Sequence, residues 1–146
     1  MPKFQGTDFA IELPNEYRDE STYAFALPSR GNFRPSVVVK TERLSVSTEL
    51  SVYVLRQLEG LKASLPHVAV VKSEFSTHRG EPSQQTIYDW GDPERRVRQV
   101  QRCILLQSPL RVVTITGTTT QEDYPQAEEL FDAIFDSFQP TSGKGA

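Results

Sequence analysis

Cysteine is nearly absent: Cys103 is the only one in the chain, and it lies inside an apolar run. A single thiol makes no internal disulfide, which fits a reducing compartment. Histidine is almost as scarce, with two residues, and no HExxH or paired CxxC spacing supplies a metal site or another cofactor motif. Long hydrophobic runs are missing too. No stretch approaches the ~20 apolar residues needed to cross a bilayer, and Met1 to Asp8 carries Lys3 with no apolar segment behind it. No secretory leader and no stable membrane insertion are therefore expected. Nor is there an excess of basic charge. With 16 Lys and Arg against 19 Asp and Glu, the net charge is −3, so the footprint of a general nucleic-acid binder is lacking. A cytoplasmic protein that binds no nucleic acid is the simplest expectation.

What is present is an ordinary apolar content spread along 146 residues, without an internal repeat or a Pro/Gly/Ser linker. A chain of this length buries roughly 68–70% of its unfolded surface on folding. The expectation is one α+β domain over residues 1–139, followed by a flexible tail, PTSGKGA, over 140–146.

The first half opens with strand signals. Phe9, Ile11 and Leu13 alternate with Ala10 and Glu12, and Tyr23, Phe25 and Leu27 alternate with Thr22, Ala24 and Ala26. Val37-Val38-Val39 reads as a strand buried on both faces. A helix is predicted from about Thr48 to Leu65, with Ser47 or Thr48 as its cap and Pro66 as its stop. Leu50, Val54, Leu58, Leu61 and Leu65 form its apolar stripe, and Tyr53, Gln57, Gly60 and Ser64 form a less apolar line beside it. Four strand-like runs follow, Val68 to Thr77, Gln84 to Trp90, Arg96 to Gln107 and Leu110 to Thr118. Their short connections imply antiparallel neighbours. The last element is a helix with Asp123 as candidate cap, Pro125 in its first turn and Leu130, Phe131, Ile134, Phe135 and Phe138 on one face. Strands, helix, strand meander and helix in that order predict an antiparallel sheet flanked by two main helices. Helices that cover such a sheet incompletely leave one apolar surface open.

Catalytic signals are sparse. There is no nucleophile elbow and no glycine-rich phosphate loop. His67 and His78 sit beside predicted turns and read as solvated, and Cys103 reads as a buried small hydrophobe. Asp89, Asp92 and Glu94 surround a hairpin tip, where carboxylates are solvated. On the basic stretch, Arg96, Arg98 and Arg102 share one strand face. They read as a charged face paired with carboxylates of the next strand rather than as an anion site. No enzyme is expected.

Glutamines are the less ordinary feature. Gln99 and Gln101 lie on the strand face that continues into Cys103 and Leu105, and Gln57 lies one turn from both Val54 and Leu61. A buried amide without a partner costs about 1–3 kcal/mol. Two readings are open: amides at the core margin satisfied by neighbours, or amides in an apolar groove that bond a guest segment.

The helix segment from Tyr53 to Pro66 (YVLRQLEGLKASLP) closely resembles one in the DcrB-like family, and more narrowly in the Eag, effector-associated, chaperones of bacterial type VI secretion. The resemblance continues through Ile11-Glu12-Leu13-Pro14, Tyr88-Asp89-Trp90, Arg98-Gln99-Val100, the Thr-rich Ile115 to Thr120 and the closing Leu130 to Phe135. It implies a fold like that of the photosystem protein PsbP and a homodimer that cradles transmembrane-like helices near the N-terminus of a secreted toxin effector, with a secretion spike protein as a further partner. It implies no cofactor. By position it assigns Gln57 and Gln99 to polar places in the groove and Val38, Leu61 and Leu65 to apolar ones, although Leu61 and Leu65 also fit a core. Thr22 and Ala24 stand where bulky aliphatic residues are expected, which makes the groove shallower and more polar. The alternative function is a stand-alone DcrB-like domain that binds another protein or an amphiphilic small molecule.

Overall fold

A computed structural model describes residues 1–16, 21–29 and 33–141. In chain order the elements are β1 (Lys3–Gln5), β2 (Ala10–Glu12), β3 (Thr22–Ala26), β4 (Ser36–Arg43), α1 (Leu50–Ser64), β5 (Ala69–His78), β6 (Glu81–Trp90), β7 (Val97–Leu106), β8 (Arg111–Thr120) and α2 (Tyr124–Asp136). β1 and β2 form a two-stranded hairpin, and the other strands form one antiparallel sheet in the order β3-β4-β8-β7-β6-β5. The expected meander is β5 through β8. β4 joins it by pairing with β8 from Ser36↔Thr118 to Arg43↔Arg111.

Strand alternation sends side chains to two faces, and each face meets one helix. On one face Val100, Ile104, Leu106, Val113, Ile115 and Val37 pack against Ala127, Phe131 and Phe135 of α2. On the other, Tyr88, Cys103 and Val112 pack against Leu50, Tyr53, Val54 and Leu58 of α1. The predicted stripe of α1 is therefore divided: Leu50, Val54 and Leu58 are buried, whereas Leu61 and Leu65 are half-buried. Tyr53, from the less apolar line, is core instead.

Several local expectations need correction. α1 starts at Leu50, with Glu49 at the cap position and no side-chain cap, because the Thr48 hydroxyl bonds back to the Val46 carbonyl. Of the three consecutive valines only Val37 is buried; Val38 points to the α1 face, beyond the strands that α1 covers. Tyr23 and Phe25 are exposed on the edge strand β3. β1 gave no strand signal, being three residues with Gly6 just after it. His78 is buried rather than solvated. The chain end beyond α2 folds over it, with His78 Nε2 at 2.8 Å from the Phe138 carbonyl and Arg102 against Nδ1 at 3.2 Å. The expected tail falls largely on residues 142–146, outside the described residues.

Candidate functional site

Register places the candidate residues of the sheet on one face. Gln99 lies opposite Thr118, Thr116 opposite Val38, and Thr22 and Ala24 opposite Lys40 and Val38. Thr22, Ala24, Val38 and Gln99 thus all project to the side on which α1 packs, and Gln57, Leu61 and Leu65 lie on α1 itself or at its end. α1 packs on β6 and β7. Exposure rises away from it: Thr114 is buried, Thr116, Thr118 and Val38 are half-buried, and Ala24 and Thr22 are exposed. The surface beyond the helix is a floor of β8, β4 and β3 with α1 as its wall.

The amides on this face are tied to their neighbours. Gln57 Nε2 donates to the Tyr53 hydroxyl at 2.9 Å, and that hydroxyl donates to Glu42 Oε1 at 3.1 Å. The Cys103 thiol points at Gln57 Oε1 from 3.8 Å. Gln99 Oε1 accepts from the Trp90 indole at 3.1 Å, and its Nε2 donates to Thr118 Oγ1 at 2.9 Å. An amide has two donor hydrogens and two acceptor lone pairs, so each glutamine keeps one N–H and one lone pair after these bonds. The core-margin reading accounts for the bonds that are made. Gln101, weighed beside Gln99 but not placed in the groove, is buried between Thr86 and Thr116 with Oε1 unpartnered. The signal for this polar floor in the sequence is the alternation of Thr114, Thr116, Thr118 and Thr120.

Burial governs the titratable groups here. It pushes the Cys103 thiol up to about 11 and the Tyr88 phenol up to about 12. Tyr53 is held above the usual phenol range, first by burial and then by the charge of Glu42. These groups stay neutral at physiological pH, and Cys103 is a thiol rather than a thiolate. Among the described residues no group of three or more His, Cys, Asp or Glu side chains is placed to hold a metal ion.

On the opposite face only Arg98 pairs with a carboxylate of a neighbouring strand, as expected of all three arginines. Arg98 forks onto Asp89, Nε to Oδ1 at 2.7 Å and Nη2 to Oδ2 at 2.9 Å, and Gln121 adds a third bond at 3.0 Å. Asp89 is therefore buried and paired, not solvated, because the register of β6 on β7 sets it opposite Arg98. Arg102 bonds Asp136 and Gln85. Arg96 precedes β7 and donates to the carbonyls of His67 and Gly91 instead. A cleft of about 530 Å³ between β5, β6 and α2 and another of about 880 Å³ near Arg95 and Glu122 are lined by none of the candidate residues. The candidate site is an open face.

The sequence profile of DcrB matches residues 9–137. The chain belongs to the DcrB family. Effector EagT6 of Pseudomonas aeruginosa is 27% identical over 131 residues, spanning 89% of this chain and 90% of that protein. Among solved structures, a protein of unknown function from Pseudomonas aeruginosa superposes with a TM-score of 0.78 at 24% identity, covering 97% of this chain and 98% of the other. The cyanobacterial PsbP protein CyanoP from Synechocystis superposes with a TM-score of 0.55 at 12% identity, covering 96% and 92%. The fold of this DcrB-family member is PsbP-like α+β, as expected. No helix among the described residues is long and apolar enough to cross a membrane.

Proposed function

We propose that this protein is a chaperone or adaptor that binds and shields apolar, transmembrane-like segments near the N-terminus of a type VI secretion effector before export. It does so in the cytoplasm as a homodimer, without a cofactor and without catalysis, and it presents its cargo to a secretion spike protein. The observation that carries this reading is the open α1 face, where Gln57 and Gln99 keep unused hydrogen-bonding capacity beside the half-buried Val38, Leu61 and Leu65. Similarity to the protein named Effector EagT6 supports an effector as the class of partner.

The physics is that of a helix laid in a groove. A transmembrane-like helix exposes apolar surface on every side, and covering it gains about 25 cal/mol per Å². Leu61, Leu65 and Val38 supply apolar contact. The spare N–H and lone pair of Gln57 and Gln99 fix the guest by bonds to its backbone or polar side chains. Thr22 and Ala24 leave the outer floor shallow, which favours a guest with small or hydroxyl-bearing residues on the side facing β3.

Co-expression tests this. The protein is expected to keep an otherwise insoluble N-terminal effector segment in solution and to co-elute with it on size exclusion. Gln57→Ala combined with Gln99→Ala is expected to release the segment while the protein stays folded by circular dichroism. A segment that stays insoluble, or one that the double variant holds as well as the wild type, defeats the reading.

A further inference from the structure

The hairpin of β1 and β2 has two unlike faces. Register pairs Phe4 with Ile11 on one of them and sets Lys3 opposite Glu12 and Gln5 opposite Ala10 on the other. The Phe9 ring lies 6.0 Å from that of Phe4. It folds over Gly6, where an added methyl would meet the ring at 2.5 Å, so glycine there lets Phe9 close onto the hairpin. Phe4, Phe9 and Ile11 thus make one apolar face, and the last two stand 56% and 48% exposed. None of the three belongs to either core cluster. The hairpin is closed by its own bonds, from Gly6 N–H to the Phe9 carbonyl at 2.8 Å and from Leu13 N–H to the Pro2 carbonyl at 2.9 Å.

A two-stranded hairpin left to itself is marginally stable in water and needs something against its apolar side. The chain brings this one to the rim of the candidate face. Residues 14–21 join Leu13 to Thr22, the first residue of β3, and β3 is the outermost strand of the floor. Eight residues span up to ~26 Å when extended. From β3 across β4 and β8 to β7 the floor is only ~14 Å wide, at ~4.8 Å per strand. The hairpin therefore reaches over the whole floor as far as α1.

A guest helix on that floor has the complementary need. The sheet covers its underside and α1 one flank, which leaves its outer side to water. We propose that the N-terminal hairpin completes the guest site, closing its face of Phe4, Phe9 and Ile11 over the outer side of an apolar effector helix. The inference rests on the proposed function. It gives the site a floor from β8, β4 and β3, a wall from α1 and a roof from β1 and β2. Lys3, Gln5 and Glu12, on the far face of the roof, then meet water in place of the guest's apolar surface.

The probe is a dye-labelled peptide of about 20 Leu, Ala and Ser residues with lysines at both ends, as long as a membrane-crossing helix. Its binding to the full chain is read by fluorescence anisotropy. Phe9→Ser with Ile11→Ser changes only exposed side chains, so circular dichroism and urea unfolding should match the wild type. The peptide should nonetheless bind that variant about tenfold more weakly or worse. Amide exchange at Gly6 and Leu13 should be fast in the free protein and slow by about tenfold or more when peptide is added. Benzoylphenylalanine at position 9 should crosslink to the peptide on irradiation. Wild-type affinity in the double variant, exchange unmoved by the peptide, or a crosslink to the same chain or a second copy with peptide bound would each overturn the inference and leave the floor standing as the guest site. Wild-type protein that holds no peptide at all would overturn the chaperone reading and the inference together, so the two failures are told apart.

Discussion

The ring of Phe131 lies directly on the backbone of Gly117. A methyl group at that glycine would stand 3.0 Å from two of the ring carbons. Gly117 sits between Val37 and Val100 in adjacent strands, and Phe131 is 1% exposed, so α2 approaches β8 where the sheet has no side chain. The last helix is positioned by this absence as much as by its own apolar face.

Gly117→Ala is accordingly expected to destabilise the protein by about 1–3 kcal/mol, the usual cost of forcing extra volume into a packed core. Phe131→Leu introduced together with it should recover part of the loss, since the smaller side chain makes room for the methyl. Urea unfolding of the three variants measures this. Additive losses in the double variant would mean that the contact does not limit the packing.

The Asp89–Arg98 fork gives a pH dependence of definite sign. Hydrogen bonding from Arg98 holds the Asp89 carboxyl below the ordinary range despite its burial. An unfolded Asp titrates near ~3.9. A depressed folded value means that the pair stabilises the protein fully above that pH and loses its contribution as pH falls through the folded value. Asp89→Asn should lower stability at pH 7 and flatten its decline between about pH 5 and pH 2. Arg98→Ala, which leaves a buried carboxylate with Gln121 alone, should cost about 3 kcal/mol at neutral pH. Chemical denaturation across that range is the measurement, and a variant that keeps the wild-type acid slope would contradict the assignment.

Much of the fold was legible because its period was strong. The meander from β5 to β8 and the aromatic face of α2 follow from alternation and three-to-four spacing alone. The tertiary placements were not. Tyr53 and Gln57 share one line of α1, yet Tyr53 is core because its hydroxyl has Glu42 on β4 as an acceptor, a partner eleven residues away that no local pattern reveals. The turns beside His78 and Asp89 predict solvated side chains. Their burial depends on Phe138 and Arg98, contributed by other elements. The candidate face was legible in its glutamines but not in its extent, because whether β8, β4 and β3 lie beside β7 is a matter of strand order.

Trp90 offers the most direct reading of that face. It is the only tryptophan, it is half-buried, and its indole N–H donates to Gln99 Oε1 at 3.1 Å. Under the proposed function, an apolar helix laid along the floor excludes water from this pair, and Trp90 emission should shift to the blue as the guest is added. In Gln99→Ala the indole loses its acceptor, and water takes that place because the ring is only half-buried. The bond to Thr118 is lost with it, so stability should fall by about 2 kcal/mol, the net value of two such bonds. Guest affinity should fall as well, by roughly tenfold or more, because the variant loses the spare amide groups along with the apolar contact they orient. Fluorescence titration of wild type and variant with one effector segment separates the two effects. A blue shift and affinity unchanged by the substitution would place the guest away from Gln99, whereas loss of the native fold would make the amide a structural member of the sheet.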